Sequence, residues 1–149
     1  MVLNAPLGYE ADRQLIHKFF DAVTSNDVNA LESLFSVEAR VKTGSGNSYV
    51  GAMQFWKSRL QRLDYSALEG RSVFRDHALE FYRRDDLASL GNERRIPLDV
   101  GDEQVAVRVA LNTQLRQGKR LFGDEMVFLL SPTPRGYEIV EIFEDFQIP

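Results

Sequence analysis

Apolar residues recur at three- and four-residue intervals at Leu15, Ile16, Phe19, Phe20 and Val23. That spacing puts one hydrophobic stripe along a helix and predicts the element over residues 9–25. Asn26 and Asp27 stop it, and Asp27 is placed to cap a second short helix whose Val28, Leu31, Leu34 and Phe35 share a face. The period then drops to two. Ala39, Val41 and Thr43 alternate with Glu38, Arg40 and Lys42, the signature of a half-exposed strand. After a turn at Gly44-Ser45-Gly46-Asn47-Ser48, Met53, Trp56, Leu60 and Leu63 set a third stripe on a helix over 52–63. Between Asp64 and Asn92 the spacing of Phe74, His77, Ala78, Phe81 and Tyr82 suits a helix, although Gly70 and the charges interrupt it. From Arg95 the pattern predicts strands over 95–100, 104–116, 120–130 and 137–146. Turns at Gly101-Asp102, Gln117-Gly118-Lys119 and Ser131–Gly136 separate them. Helices first and a meander last predict an α+β fold: three N-terminal helices packed on a curved, mainly antiparallel sheet that forms a cone with an internal pocket.

Composition narrows the function classes. The 149 residues, 44% of them hydrophobic with ten Phe and five Tyr, suit a single domain over 1–149 with a sizeable core. With no Cys and two His, disulfides, thiolate zinc sites and cysteine nucleophiles are excluded, and neither a metal site nor a cofactor is expected. A net charge of −4 speaks against nucleic acid as a partner. Arg83-Arg84, followed by Asp85-Asp86, and Arg94-Arg95 are short and locally neutralised, so neither makes a nucleic-acid patch. No apolar run approaches the roughly 20 residues that span a bilayer, and residues 1–13 carry no leader pattern, so no membrane association and a cytoplasmic location are expected. Gly44-Ser45-Gly46 lacks the following Lys and helix of a phosphate loop.

The run Phe19-Phe20-Asp21-Ala22-Val23-Thr24-Ser25-Asn26-Asp27, then Leu31 to Phe35 and Ala39 to Val41, resembles the opening of the nuclear transport factor 2-like superfamily. The stripe around Phe55-Trp56 and the ending Gly136-Tyr137-Glu138-Ile139-Val140 match its later signposts. The resemblance covers nearly the whole chain, with 64–94 a longer connecting segment than usual. It implies a cone with a pocket, often dimeric through the sheet, in a superfamily of ketosteroid isomerases, limonene epoxide hydrolases, polyketide cyclases and many pocketed proteins of no known activity. A ketosteroid isomerase of this kind carries a Tyr donor and an Asp base where this chain has Phe19 and Thr43. For limonene epoxide hydrolase the resemblance puts the Arg and one acid at Arg108 and Glu144, but Ala110 replaces the other acid, and Val41 and Thr43 replace the Tyr and Asn. Neither reaction is therefore expected.

Along the strand near Arg108, one face carries Arg108, Ala110, Asn112 and Gln114 and the other Val105, Val107, Val109 and Leu111. Alternation alone leaves open which is inside. Under the resemblance the polar face lines the cone and a second subunit covers the valine row, giving a homodimer through the sheet. Arg108 and Glu144 then meet inside the cone, beside Thr43, Trp56 and Asn112, with Phe19 and Val41 completing the wall. Trp56 at helical spacing also suits plain core packing. His17 falls on the surface, and His77 between Asp76 and Glu80 has an orienting acid but no nucleophile motif. The expected function is binding of a small, partly apolar molecule. One alternative is a polyketide-cyclase-like or isomerase-like enzyme, with Arg108 on an oxyanion and Glu144 or Asp124 moving the proton. Another is a protein-interaction module.

Overall fold

Helix α1 spans Glu10–Thr24, one residue inside each end of the range its stripe predicts, in a computed structural model that describes residues 9–43, 49–68, 72–88, 98–112 and 121–145. Leu15, Ile16, Phe19, Phe20 and Val23 are all buried. The chain leaves α1 through Asn26 at φ 56°, a left-handed conformation that Asn tolerates. Asp27 then caps α2 (Val28–Glu32), its carboxylate accepting the Ala30 N–H at 3.0 Å, a contact of the kind worth about 1 kcal/mol. Strand β1 (Phe35–Thr43), the two-residue β2 (Val50–Gly51) and α3 (Ala52–Arg62) follow. On β1, Ala39 and Val41 are buried as the alternation requires.

Beyond α3 the structure departs from a helical reading. The chain makes single 3-10 turns at Tyr65–Leu68 and Asp76–Ala78, strand β3 (Glu80–Tyr82) and a fourth short helix, α4 (Arg84–Ala88). Phe81 and Tyr82 match helical spacing, yet they pair with Val107 and Ala106 of β4 (Val105–Ala110) and so send their side chains to opposite faces. Leu98–Val100, expected as a strand, lies outside the sheet. Leu98 and Val100 instead cover its outer face. Strands β5 (Glu125–Thr133) and β6 (Gly136–Asp145) nearly meet at Pro134-Arg135, where Gly136 takes φ 137°, a value that L side chains rarely adopt. The turns expected at Gly44–Ser48 and Gln117–Lys119 lie outside the described residues.

The sheet has the order β2-β1-β6-β5-β4-β3. Only β1 and β6 run parallel among these neighbours. Helices cover one face, and the largest core forms there from Phe19, Trp56, Met126, Phe128, Ile139 and Ile142, all fully buried. Val105, Val107, Val109 and Leu111 belong to this core. The valine row thus faces the helices, and the expected homodimer loses its stated basis. A smaller cluster of Leu98, Ala106, Val127 and Leu129 occupies the other face. On β6, Leu129 pairs with Glu141 and Leu130 with Ile139, which leaves Val140 as an extra, bulged residue. The bulge shifts parity. Ile139, Ile142 and Glu144 face the helices while Val140 and Phe143 pack with the outer cluster.

The interior expected to be a pocket is occupied by rings. Phe19 lies 5.1 Å from Trp56 and 5.0 Å from Phe128, Phe20 lies 5.5 Å from Phe122, and Phe122 lies 5.0 Å from Tyr65, centroid to centroid. Tilted and edge-on contacts at these spacings are the favoured aromatic geometries.

Candidate functional site

Three residues beyond Trp56 on α3, the helix turns Arg59 onto the same inward flank, and it is buried. Its guanidinium grips Glu144 of β6 with both ends, Nη2 donating to Oε2 at 2.8 Å and Nη1 to Oε1. Nε donates to the Tyr65 hydroxyl at 2.6 Å, Nη2 also reaches the Leu121 carbonyl, and Tyr65 donates its own proton to that carbonyl. The Gly123 N–H donates to Glu144 Oε2 at 2.6 Å. A fully buried carboxylate is tolerable on these terms, because the fork of Arg matches both oxygens and a backbone donor adds to it. Burial works against the Arg59 charge, but hydrogen bonds and attraction from Glu144 outweigh it and hold the guanidinium above its ordinary value. Burial also pushes Tyr65 up to about 12, so its phenol is no base at neutral pH.

One donor in this interior has no partner among the described residues. Trp56 Nε1 is buried without an acceptor, although the ring is fully enclosed and carries the Arg59 guanidinium 4.7 Å from its centroid.

Arg108 and Glu144 do not meet. Arg108 stands opposite Val127 of the outer cluster, whereas Glu144 stands opposite Met126 of the inner core. Arg108 bonds Glu125 through Nη1 and lies 3.9 Å from Glu80. The guanidinium beside Glu144 is Arg59, which the sequence analysis passed over. Its signal was its place three residues after Trp56 on the predicted stripe. Tyr65, also missed, had none beyond its aromatic nature. Phe19, Val41 and Trp56 are buried core residues. Thr43 closes β1 opposite Glu144, but its side chain lies outside the described residues. Asp124 is half-buried at the entry to β5, where its carbonyl accepts the Leu111 N–H at 3.0 Å.

Asn112 donates to the Ser72 carbonyl at 3.2 Å and helps to line a cleft of about 490 Å³ with Phe74, Arg75 and Leu111. A second cleft of about 270 Å³ shares Ser72 and Phe74 and is bounded by His17, Phe20 and Leu68. Asp76, expected beside His77, instead receives His17 Nε2 at 2.7 Å and Arg13 Nη1 at 2.9 Å. The His17 bond, followed by Arg13, holds Asp76 below the ordinary carboxylate range despite slight burial. From Phe74 a run of rings leads inward through Phe20 and Phe122 to Tyr65, with spacings of 5.0, 5.5 and 5.0 Å. The clefts thus lie at the outer end of an aromatic stack whose inner end is the Arg59–Glu144–Trp56 group. Among the described residues no cluster of His, Asp and Glu could hold a metal ion, and no helix is long and apolar enough to cross a membrane.

Solved structures share this architecture. An NTF2-like protein of unknown function from Pseudomonas putida KT2440 superposes with a TM-score of 0.63 at 9% identity, covering 97% of this chain and 89% of that one. An NTF2-like protein with a cystatin-like fold from Novosphingobium aromaticivorans gives 0.60 at 14% identity, covering 97% and 84%. This chain has the NTF2-like fold. A candidate dehydratase of the NTF2-like family from Streptomyces avermitilis gives 0.60 at 11% identity, covering 97% and 99%. No protein-family model and no curated protein matches the sequence. At such identities the likeness establishes the NTF2-like architecture and leaves activity to be argued from side chains.

Proposed function

We propose that this NTF2-like domain binds a small molecule with an apolar, ring-like body and one hydrogen-bond-accepting oxygen. The ligand enters from the clefts beside Phe74, displaces the packed rings of Phe20, Phe74 and Phe122 from one another, and presents its oxygen to Trp56 Nε1. The observation that carries this reading is the indole N–H, buried without an acceptor in an interior where Arg59, Tyr65 and Glu144 are otherwise matched to partners. Buried donors without partners are rare, and each costs about 1–3 kcal/mol that an incoming acceptor recovers. Turnover is not part of the reading, since Arg59 and Glu144 commit their hydrogen bonds to each other and to the backbone.

Trp56 is the chain's one tryptophan, so its emission reports on this position alone. Bicyclic ketones such as 1-tetralone are expected to change that emission saturably and to raise the melting temperature more than the matching hydrocarbons do. In Trp56→Phe, the ketone's advantage in the thermal measurement should disappear. Equal binding of ketone and hydrocarbon to the unaltered protein, or no emission change with any ketone, would sink the proposal.

A further inference from the structure

On the face of the sheet turned away from the helices, β1, β6 and the Leu98-Asp99 segment enclose a cavity of about 780 Å³, within the size range of small-molecule sites. Its floor is apolar, from Leu98, Leu129 and Val140, and its walls are charged. The β6 bulge at Val140 turns Glu141 to this side, a re-aiming of a side chain that bulges commonly perform. Glu141 is only 4% exposed. Its Oε1 accepts Arg40 Nε at 3.0 Å and the Tyr49 phenol also bonds this carboxylate, while Oε2 is buried without a hydrogen bond of its own among the described residues. The Tyr49 ring lies 3.9 Å from the Arg40 guanidinium and holds it against the wall. Arg40 has no further hydrogen-bond partner for its two Nη groups among the described residues, and Lys42, 5.7 Å from the Tyr49 ring, also lines the cavity.

We infer that this outer cavity is a second binding site, for a zwitterionic amino acid with an apolar side chain. Three features each select one part of such a ligand. A buried carboxylate oxygen lacking a donor favours an ammonium group. The free Nη groups of Arg40 and the Lys42 ammonium supply donors and charge for a carboxylate. Leu129 and Val140 give an apolar side chain somewhere dry to lie. Arg40 and Glu141 are already in contact through Nε and Oε1, so a single small zwitterion can address both residues. Glu38 and Asp99 also line the cavity, so the discrimination rests on the Arg40 Nη groups, which a simple amine leaves unanswered, and on Glu141 Oε2, which a simple acid leaves unanswered.

The test is calorimetric titration with L-leucine, isoamylamine and 4-methylvalerate, the last two each lacking one of the charged groups. L-Leucine should bind at least about tenfold more tightly than either, the loss expected for one charge-assisted hydrogen bond. Glu141→Gln should weaken L-leucine about tenfold. Lys42→Gln, at a partly exposed position that does not threaten folding, should weaken L-leucine and 4-methylvalerate but leave isoamylamine unchanged. Trp56→Phe should leave L-leucine binding intact, which separates this site from the interior one. L-Leucine no tighter than the amine, or unaffected by both Glu141→Gln and Lys42→Gln, would overturn the assignment. So would a protein whose sedimentation shows a dimer that Lys42→Glu dissociates and in which L-leucine does not bind, because a second copy would then occupy the cavity.

Discussion

Strand β6 carries two buried glutamates three residues apart, each facing an arginine, and the regular alternation beyond the Val140 bulge sends them to opposite faces of the sheet. On the inner face Glu144 has both oxygens engaged by Arg59 and one shared with the Gly123 N–H. On the outer face Glu141 shares one oxygen with Arg40, a side chain 52% exposed, and its other oxygen has no hydrogen bond among the described residues. The pairs have the same chemistry and different roles. A saturated pair in a dry core holds two distant segments together and has little left to offer a ligand. A half-saturated pair at a cavity wall contributes less to the fold and keeps capacity for a partner.

The largest expected effect breaks the inner pair. Glu144→Ala strands the Arg59 charge in the core and should cost about 3–5 kcal/mol of unfolding free energy in urea. Combining Glu144→Leu with Arg59→Met should recover much of that loss, since matched apolar replacements of buried pairs are often neutral. A double variant as unstable as Glu144→Ala would show that the remaining contacts of Tyr65, not the charge pair, govern this region.

A third buried carboxylate sets the far end of the comparison. Asp12, in the first turn of α1, is fully buried with no hydrogen bond to either oxygen among the described residues. Burial raises its pKa from 3.8 to about 6, against a weaker opposing attraction from Arg83. A folded-state value above the unfolded one means that the folded chain binds the extra proton. This contribution to stability is therefore complete below pH 4 and is lost as the pH rises through 6. Asp12→Asn should stabilise the protein at pH 7–8 by on the order of 2–3 kcal/mol and flatten the stability profile between pH 4 and 6. Unchanged pH dependence in thermal melts would place the titrating group elsewhere.

Smaller effects sharpen the outer face. Arg108→Ala removes partly exposed contacts to Glu125 and Glu80 and should cost about 1 kcal/mol. Glu141→Gln should change stability by less than about 1 kcal/mol, because its arginine can turn to water. A loss from Glu141→Gln as large as that from Glu144→Ala would erase the distinction between the two pairs.

How much of this was legible in sequence depends on contrast. Strand β1 declares its faces because Glu38, Arg40 and Lys42 are charged while Ala39 and Val41 are not. On β4 the valine row was the simpler core, yet the resemblance favoured the face of Arg108, whose neighbours Ala106 and Ala110 are small and uninformative. On β6, strict alternation groups Val140 and Ile142 with Glu144, and a bulge that no single residue announces separates Val140 from them. Arg59 could be found on its helical stripe, but its pairing with Glu144 joins positions 85 residues apart, and local periodicity carries no information about such distances. The 64–94 segment failed for a related reason. Phe81 is inward because β3 pairs with β4, a tertiary fact that outweighs its helical spacing.

The parallel pairing of β1 with β6 also dictates when this chain can become a protein. In the order β2-β1-β6-β5-β4-β3, the strand latest in sequence among those described is the bridge between the N-terminal strand pair and the rest of the sheet. A nascent chain emerging from a ribosome can form α1, α2 and α3 early, but it has no complete sheet to lay them on until Gly136–Asp145 has cleared the exit tunnel. Contacts of such long sequence separation slow folding, and the apolar faces of α1 and β1 stay uncovered in the interval. Emergence of β6, rather than of any element before it, becomes the event that closes the core.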